Sequence, residues 1–209
     1  MTIIDTITLD VADTEAAEHF YRTAFGVDTH LRFRTATEPA TGFRGFTLSL
    51  TVSQPSTVDA LLGAALELGA TALKPAAKSF WGYGGVIQAP DGAIWKVATS
   101  AKKDTGPATR RIDQVVLLLG VQDVAASKRF YVDQGLAVGK SFARVYVEFE
   151  AGSSPVKLAL YRHRALAKDA GVPAEGTGSH RLLIGGDAGT FTDPDGFAWQ
   201  ATSPTPAHR

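Results

Sequence analysis

The sequence predicts an α+β protein in which one strand–helix–strand pattern is laid down twice. Three observations carry this. The markers Ile4-Asp5, Asp13 and, seven residues on, Phe20-Tyr21 recur as Ile112-Asp113, Asp123 and, seven residues on, Phe130-Tyr131. The halves also close alike, with Gln88-Ala-Pro-Asp-Gly-Ala-Ile-Trp95 parallel to Thr192-Asp-Pro-Asp-Gly-Phe-Ala-Trp199. Between these markers apolar residues alternate with period two or recur three and four apart, the signatures of half-buried strands and amphipathic helices. A repeat of this length sets the architecture.

Taken in order, Thr6–Val11 alternates polar and apolar residues and is a strand. Asp13 is an N-cap, with Glu15 in the first turn of a helix whose apolar face is Ala17, Phe20, Tyr21 and Ala24, and Gly26 ends it. Thr29–Arg34 follows as a strand, then a loop over Glu38–Gly42 and a strand over Phe46–Val52. Val58, Leu61, Leu62, Ala65 and Leu66 mark a second helix, stopped by Gly69. Thr71–Lys74, Gly85–Gln88 and Ala93–Ala98 are strands, the last two joined at Pro90-Asp91-Gly92. In the second half Gln114–Leu119 is a strand and Val124–Gln134 a helix. Leu136–Phe142, Val145–Phe149 and Val156–Tyr161 are strands, and Arg162–Gly178 is a polar, partly helical insertion. His180–Ile184, Gly189–Thr192 and Phe197–Thr202 complete the sheet. The expected division is a first domain over 1–100, a linker over 101–111, a second domain over 112–203 and a frayed tail over 204–209. The first half lacks a full hairpin before Phe46, and the second lacks a helix after Ile184.

Composition narrows the function classes. The 209 residues carry 21 Lys and Arg against 21 Asp and Glu, so no net charge recommends nucleic acid or an anionic membrane. No apolar run is long enough to span a bilayer. The start, Met-Thr-Ile-Ile-Asp, lacks the basic and apolar regions of a secretory signal, so a cytoplasmic location is expected. The absence of cysteine excludes disulfides, thiolate catalysis and cysteine metal sites. Phosphate-binding loops, dinucleotide fingerprints and paired-histidine helices are also missing.

A strand, then Asp, six residues, Phe-Tyr on a helix, and a closing Pro-Asp-Gly-x-x-Trp hairpin resemble the vicinal-oxygen-chelate superfamily. This superfamily includes glyoxalases, bleomycin-resistance proteins and extradiol dioxygenases. The resemblance covers all of the chain but the linker, the insertion and the tail. It implies tandem glyoxalase-like domains of βαβββ-type units, whose curved mixed sheets form a cup with helices outside. It also implies metal ligands on the first and last strands of each unit, at Thr6, Thr47 and Lys96 and at Gln114, Ala159, His180 and Gln200. Lysine has no lone pair to offer a cation until deprotonated, and one imidazole with two neutral amides is a poor donor set. No cofactor is therefore expected. A divalent metal remains the alternative, on His180, Gln114 and Gln200, with Glu148 or water completing the shell.

Strand alternation puts Trp95 and Trp199 on the helix-facing side and Lys96 and Gln200 on the cup side. With the turn centred on Gly152-Ser153, Glu148 falls opposite Lys157 and Tyr146 opposite Ala159. Tyr146, Glu148, Lys157 and Tyr161 then share the cup face. The plainer reading of Glu148 and Lys157 is a cross-strand ion pair, and that of His180 a hydrogen-bonded strand histidine. Ser79-Phe-Trp-Gly-Tyr-Gly-Gly85 offers Trp81, Tyr83 and Phe80 for stacking on a flat ligand, where glycines let the backbone approach closely. The expected function is small-molecule binding without an obligatory metal. The ligand-binding residues would be Trp81, Tyr83, Lys96, Gln114, Tyr146, Lys157, Tyr161 and Gln200, and the ligand an aromatic or amphipathic metabolite or antibiotic. The competing enzyme reading is a lyase, isomerase or dioxygenase, with His180 or Glu148 as a catalytic base. A third reading is a ligand-free relic acting through protein contacts. Monomer and homodimer are both compatible with the sequence.

Overall fold

The computed structural model describes residues 2–27 and 29–202, so the expected tail over 204–209 lies outside the described residues. The chain runs through four consecutive units. The first is β1 (Ile4–Val11), α1 (Thr14–Ala24) and β2 (Leu31–Thr35), followed by a short strand β3 (Ala40–Gly42). The second is β4 (Phe46–Thr51), α2 (Pro55–Glu67), β5 (Thr71–Ser79), β6 (Gly82–Gln88) and β7 (Ile94–Thr99). The third is β8 (Gln114–Val121), α3 (Val124–Asp133), β9 (Val138–Phe142), β10 (Tyr146–Phe149) and β11 (Val156–Arg162). The insertion supplies α4 (His163–Ala170) and β12 (Gly176–Gly178), and the fourth unit is β13 (Leu182–Gly186), β14 (Phe191–Thr192) and β15 (Ala198–Ala201).

These units form two mixed sheets and a small ribbon. Units two and three make an eight-stranded sheet of order β5-β6-β7-β4-β8-β11-β10-β9, joined by antiparallel β4 and β8 from Phe46 opposite Leu119 to Thr51 opposite Gln114. Units four and one make a five-stranded sheet of order β14-β15-β13-β1-β2, joined by antiparallel β13 and β1. Each half of the sequence thus contributes strands to both sheets, which corrects the expectation of one sheet per half. The incomplete units share the smaller sheet: unit one brings a helix, and unit four the closing strands. The loop expected over Glu38–Gly42 contains β3, because a non-local partner, β12 of the insertion, pairs with it.

Local chemistry shapes the helices as expected. Asp13 accepts from the Ala16 amide, and Asp123 from Ala125 and Ala126, satisfying donors left open at a helix start. Leu66 differs from the expected apolar face of α2, being 42% exposed at the last turn. One continuous core takes Ile7, Leu9 and Val11 of β1, Leu48 and Leu50 of β4, Leu117 and Leu119 of β8, and Ile184 of β13, together with Trp95 and Trp199.

Two hydrogen-bond relays tie each closing strand to a helix of its half. Trp95 Nε1 donates to Tyr21 Oη at 3.2 Å, and Tyr21 donates to Asp91 Oδ2 at 2.8 Å. Trp199 Nε1 donates to Tyr131 Oη at 3.3 Å, and Tyr131 donates to Asp193 Oδ2 at 2.6 Å. The Phe-Tyr and Pro-Asp-Gly-x-x-Trp motifs of the repeat therefore meet inside each half. The second relay uses Asp193, while Asp195, which aligns with Asp91, accepts from Ser127 Oγ and the Gln122 amide.

Candidate functional site

The face of the eight-stranded sheet opposite the main core is built by strand alternation. It carries Thr47 and Ser49 of β4, Lys96 of β7, Leu118 of β8, Lys157, Ala159 and Tyr161 of β11, and Tyr146 and Glu148 of β10. The middle of this face is occupied by α4. Its buried Leu166, Ala167 and Ala170 pack with Phe43, Val86 and Ile94 into a second apolar cluster, flanked by Leu73, Leu118 and Tyr161. Lys74 Nζ donates to the carbonyls of Lys168 and Asp169 at 2.8 and 2.6 Å, placing a cation at the helix C-terminus. Lys96 Nζ reaches Asp169 Oδ2 at 2.9 Å. Gly171 closes the helix at φ +82°, a conformation that glycine adopts without strain.

The helix splits the face into two polar regions. On one side a cavity of about 470 Å³ lies between β5–β7 and α4, with Lys74, Lys78, Trp81, Val86, Lys96 and Asp169 in its wall. The β5–β6 hairpin turns at Phe80-Trp81, since Ser79 pairs with Gly82, and both rings are exposed, by 81% and 79%. A Cβ at Gly82 would run into the Thr99 carbonyl, so only glycine permits this turn. The two rings meet edge to face at 5.0 Å, and Lys102 Nζ stands 5.9 Å from the Phe80 ring. Tyr83 lines the cavity with its backbone side, while its hydroxyl donates to Asp59 of α2 at 2.8 Å.

On the other side Glu148 takes Lys157 Nζ at 3.0 Å and Tyr146 Oη at 2.9 Å, and the Tyr146 and Tyr161 rings meet edge to face at 5.9 Å. The strand register corrects the expected pairing. Glu148 lies opposite Ala159, and Tyr146 opposite Tyr161, two positions from expectation. The turn is centred one residue later because Ser154 is anchored outside the hairpin, its hydroxyl accepting from the Ile4 amide at 2.7 Å and contacting the Ile4 carbonyl at 2.8 Å. A two-residue slip keeps every side chain on its face, so the ion pair forms diagonally.

Burial raises the Glu148 pKa, but the hydrogen bonds from Lys157 and Tyr146 and the charges of Lys157 and Lys140 outweigh it, leaving it below the ordinary glutamate value. A carboxylate depressed on folding contributes stability that is present above the unfolded value, near 4.5, and lost as pH falls through the folded value. Glu148→Gln is expected to lower stability at neutral pH and to converge on the wild type as pH falls below about 4.5, which flattens the acid limb of the stability curve. Urea unfolding across acid pH measures this; an acid limb identical to the wild type would contradict it.

The remaining expected site residues are scattered. Gln114 donates its amide to the Val115 and Pro155 carbonyls, both at 3.2 Å. His180 precedes rather than opens its strand. Its Nδ1 lies 2.6 Å from the Arg44 carbonyl and its Nε2 3.1 Å from the Asp195 carbonyl, with the ring stacked on Phe197 at 3.9 Å. Both ring nitrogens thus lie against backbone carbonyls. Gln200 is exposed on the five-stranded sheet, in a row with Gly185 and Thr6. The family ligand positions thus fall in two places, Thr47, Lys96 and Ala159 on one sheet and Thr6 and Gln200 on the other.

Neither set fits a divalent ion, because neither offers a carboxylate or a free imidazole and one includes an ammonium. Among the described residues no group of three His, Cys, Asp or Glu side chains is arranged to hold one. Sequence reasoning missed Lys74, Lys78 and Asp169. The lysines flank the Ser79–Gly82 turn and were open to notice, but Asp169 reaches the site only through the placement of the insertion.

No family model matches the chain, and no curated protein does. The fold has solved counterparts. Glyoxalase I from Zea mays superposes with a TM-score of 0.62 at 12% identity, over 96% of this chain and 92% of that one. A point mutant of the same maize enzyme gives 0.58 at 13%, over 96% and 93%. A candidate dioxygenase from Bacillus subtilis gives 0.53 at 11%, over 92% of this chain and 71% of that one.

Proposed function

We propose that this chain, which has the α+β fold of glyoxalase I, binds a small anion bearing a flat apolar ring in the half-cup between β5–β7 and α4, without a resident metal ion. The observation that carries the reading is the wall of that cavity. Trp81 stands at its edge, Lys96 pairs with the carboxylate of Asp169, and Lys74 holds the neighbouring helix carbonyls. Lys96 and Asp169 are each about two-fifths exposed, and an ion pair in such a setting is worth about 0–1 kcal/mol. A ligand carboxylate can take the place of Asp169 at little cost. A ring lying on Trp81 would add stacking and cover an aromatic surface now in water.

Trp81 is its own reporter. Of the three tryptophans, Trp95 and Trp199 are buried, so the solvent-exposed part of the emission comes from Trp81. Titration with aromatic carboxylates such as benzoate and naphthoate, at constant ionic strength, is expected to give saturable quenching and to protect Trp81 from iodide. Lys96→Ala is expected to weaken that binding roughly tenfold, the worth of one charge-assisted hydrogen bond. Mass spectrometry of ligand carried through purification then names the compound. A stoichiometric, submicromolar divalent-metal site that supports turnover would overturn the metal-free reading.

A further inference from the structure

The five-stranded sheet holds a second polar cavity, of about 250 Å³, away from the half-cup. It is lined by Asp10, Arg34, Thr37, Ser179 and Arg181, among others. Arg181 is one of two non-glycine residues among the described ones with positive φ, at +53°. Backbone strain of this kind persists only where surrounding structure enforces it, and it clusters at ligand-holding positions. Here it is enforced by the Asp10 amide, which donates to the Arg181 carbonyl at 3.0 Å, and by Arg181 Nη2, which donates to the Glu38 carbonyl at 2.9 Å.

The guanidinium so placed is incompletely satisfied. Arg181 Nε is buried without a hydrogen-bond partner, and so is Arg44 Nη1. The nearby negative groups are already committed or remote. Both Asp10 oxygens are taken by Arg34, through Nε at 2.9 Å and Nη2 at 3.0 Å. Asp91 offers Arg44 only its carbonyl oxygen, its carboxylate being held by Tyr21 and the Ala93 amide. Glu38 is exposed and meets Arg181 through its carbonyl. Burial and the charge of Arg181 both press the Arg44 pKa below that of an ordinary arginine, although Asp91 opposes them. Three guanidiniums share this region with three carboxylates, none of which reaches Arg181 Nε or Arg44 Nη1, and these two nitrogens have lost water without gaining an acceptor, an arrangement that costs stability unless something supplies one.

We propose that the edge of Arg181 formed by Nε and Nη2 is a binding site for a small oxyanion, a carboxylate or a phosphate, held in the cavity with Arg34, Thr37 and Ser179 beside it. Nε and Nη2 present parallel N–H groups that match two oxygens of one anion. The bound anion supplies the acceptor that Nε lacks and replaces the Glu38 carbonyl on Nη2. The hydroxyls of Thr37 and Ser179 can donate to a further oxygen, which favours phosphate over a simple carboxylate.

The test is calorimetric titration of the full chain with inorganic phosphate and, separately, acetate, with ionic strength held by chloride. Saturable binding at one site is expected, tighter for phosphate. Asparagine tolerates positive φ, so Arg181→Asn keeps the backbone while removing the fork. It is expected to hold or raise the melting temperature and to weaken binding roughly tenfold or more. Lys96→Ala, on the other sheet, is expected to leave this binding unchanged, so failure here is separable from failure of the half-cup reading. Three results would overturn the proposal. They are no saturable binding of either probe, in which case water alone meets Nε; unchanged binding in Arg181→Asn; and binding lost in Lys96→Ala but kept in Arg181→Asn.

Discussion

Trp95→Ala and Trp199→Ala are each expected to lower the free energy of unfolding by about 3–5 kcal/mol, the usual cost of truncating a buried aromatic. In a chain of this length that is a fall in melting temperature of roughly 6–20 °C. Each ring closes a relay as well as filling space, so the loss exceeds packing alone. Trp95 touches Tyr21 and Phe25 of the first helix at 5.3 Å between centroids, and Trp199 lies against Tyr131 at 5.6 Å and Phe191 at 5.3 Å. The tyrosines separate the two relays. Asp193 is buried, whereas Asp91 is partly exposed, so Tyr131→Phe is expected to cost about 1–3 kcal/mol and Tyr21→Phe about half of that.

Burial raises the Asp193 pKa and the Tyr131 hydrogen bond opposes that rise, so the folded carboxyl holds its proton more tightly than the unfolded one. Ionising it therefore costs stability as pH rises from the ordinary aspartate value through the raised one, and Tyr131→Phe enlarges that cost. Calorimetric unfolding at several pH values reads both effects. Equal losses for the two tyrosine variants at every pH would remove the distinction between the relays.

The same residues explain why so much of the fold was legible. The hydrogen bond from the closing Trp to the Tyr of Phe-Tyr recurs in both halves, although the accepting aspartate changes from Asp91 to Asp193, and the burial of Trp95 and Trp199 follows from alternation along a single strand. Sheet membership was not legible in the same way. The strands β1 and β2 that flank Tyr21 lie in the five-stranded sheet while β7, which carries Trp95, lies in the eight-stranded one, and β4 finds β8 across the linker through pairing that no local pattern records. The site was legible to the extent that strands build it. Trp81 and Lys96 come to one cavity, and Tyr146, Glu148, Lys157 and Tyr161 to one face, because side-chain direction follows from register parity even when the register slips by two. Gln114, His180 and Gln200 do not come together, because they sit on different sheets or outside a strand. The insertion hid the rest: an eight-residue helix of mixed polarity gives no sign of the surface it will cover.

Leu166→Asp is expected to release that helix and leave the remainder of the fold in place. Leu166 is 1% exposed, and its partners Phe43, Val86 and Ile94 form a cluster separate from the main core. A carboxylate in that cluster without a partner costs several kcal/mol. Detaching α4 forfeits the burial of one leucine and two alanines, the Lys96–Asp169 pair and the two bonds from Lys74, on the order of 3–5 kcal/mol together. The local route is thus comparable to or cheaper than keeping the charge buried, and far cheaper than breaking the core. An isolated helix of this length does not persist in water, so its amides should exchange freely once released. Hydrogen exchange is expected to rise over residues 163–171 and stay protected in β4, β8, β1 and β13. An equal rise in the five-stranded sheet would mean global unfolding, and would show that α4 is not separable from the core. The same variant decides what α4 does for the half-cup. If Asp169 and the helix flank are a wall that the ligand needs, aromatic carboxylates bind Leu166→Asp more weakly. If α4 is an occupant that the ligand must compete with, they bind more tightly, because the ammonium of Lys96 is then free and the middle of the eight-stranded face is open.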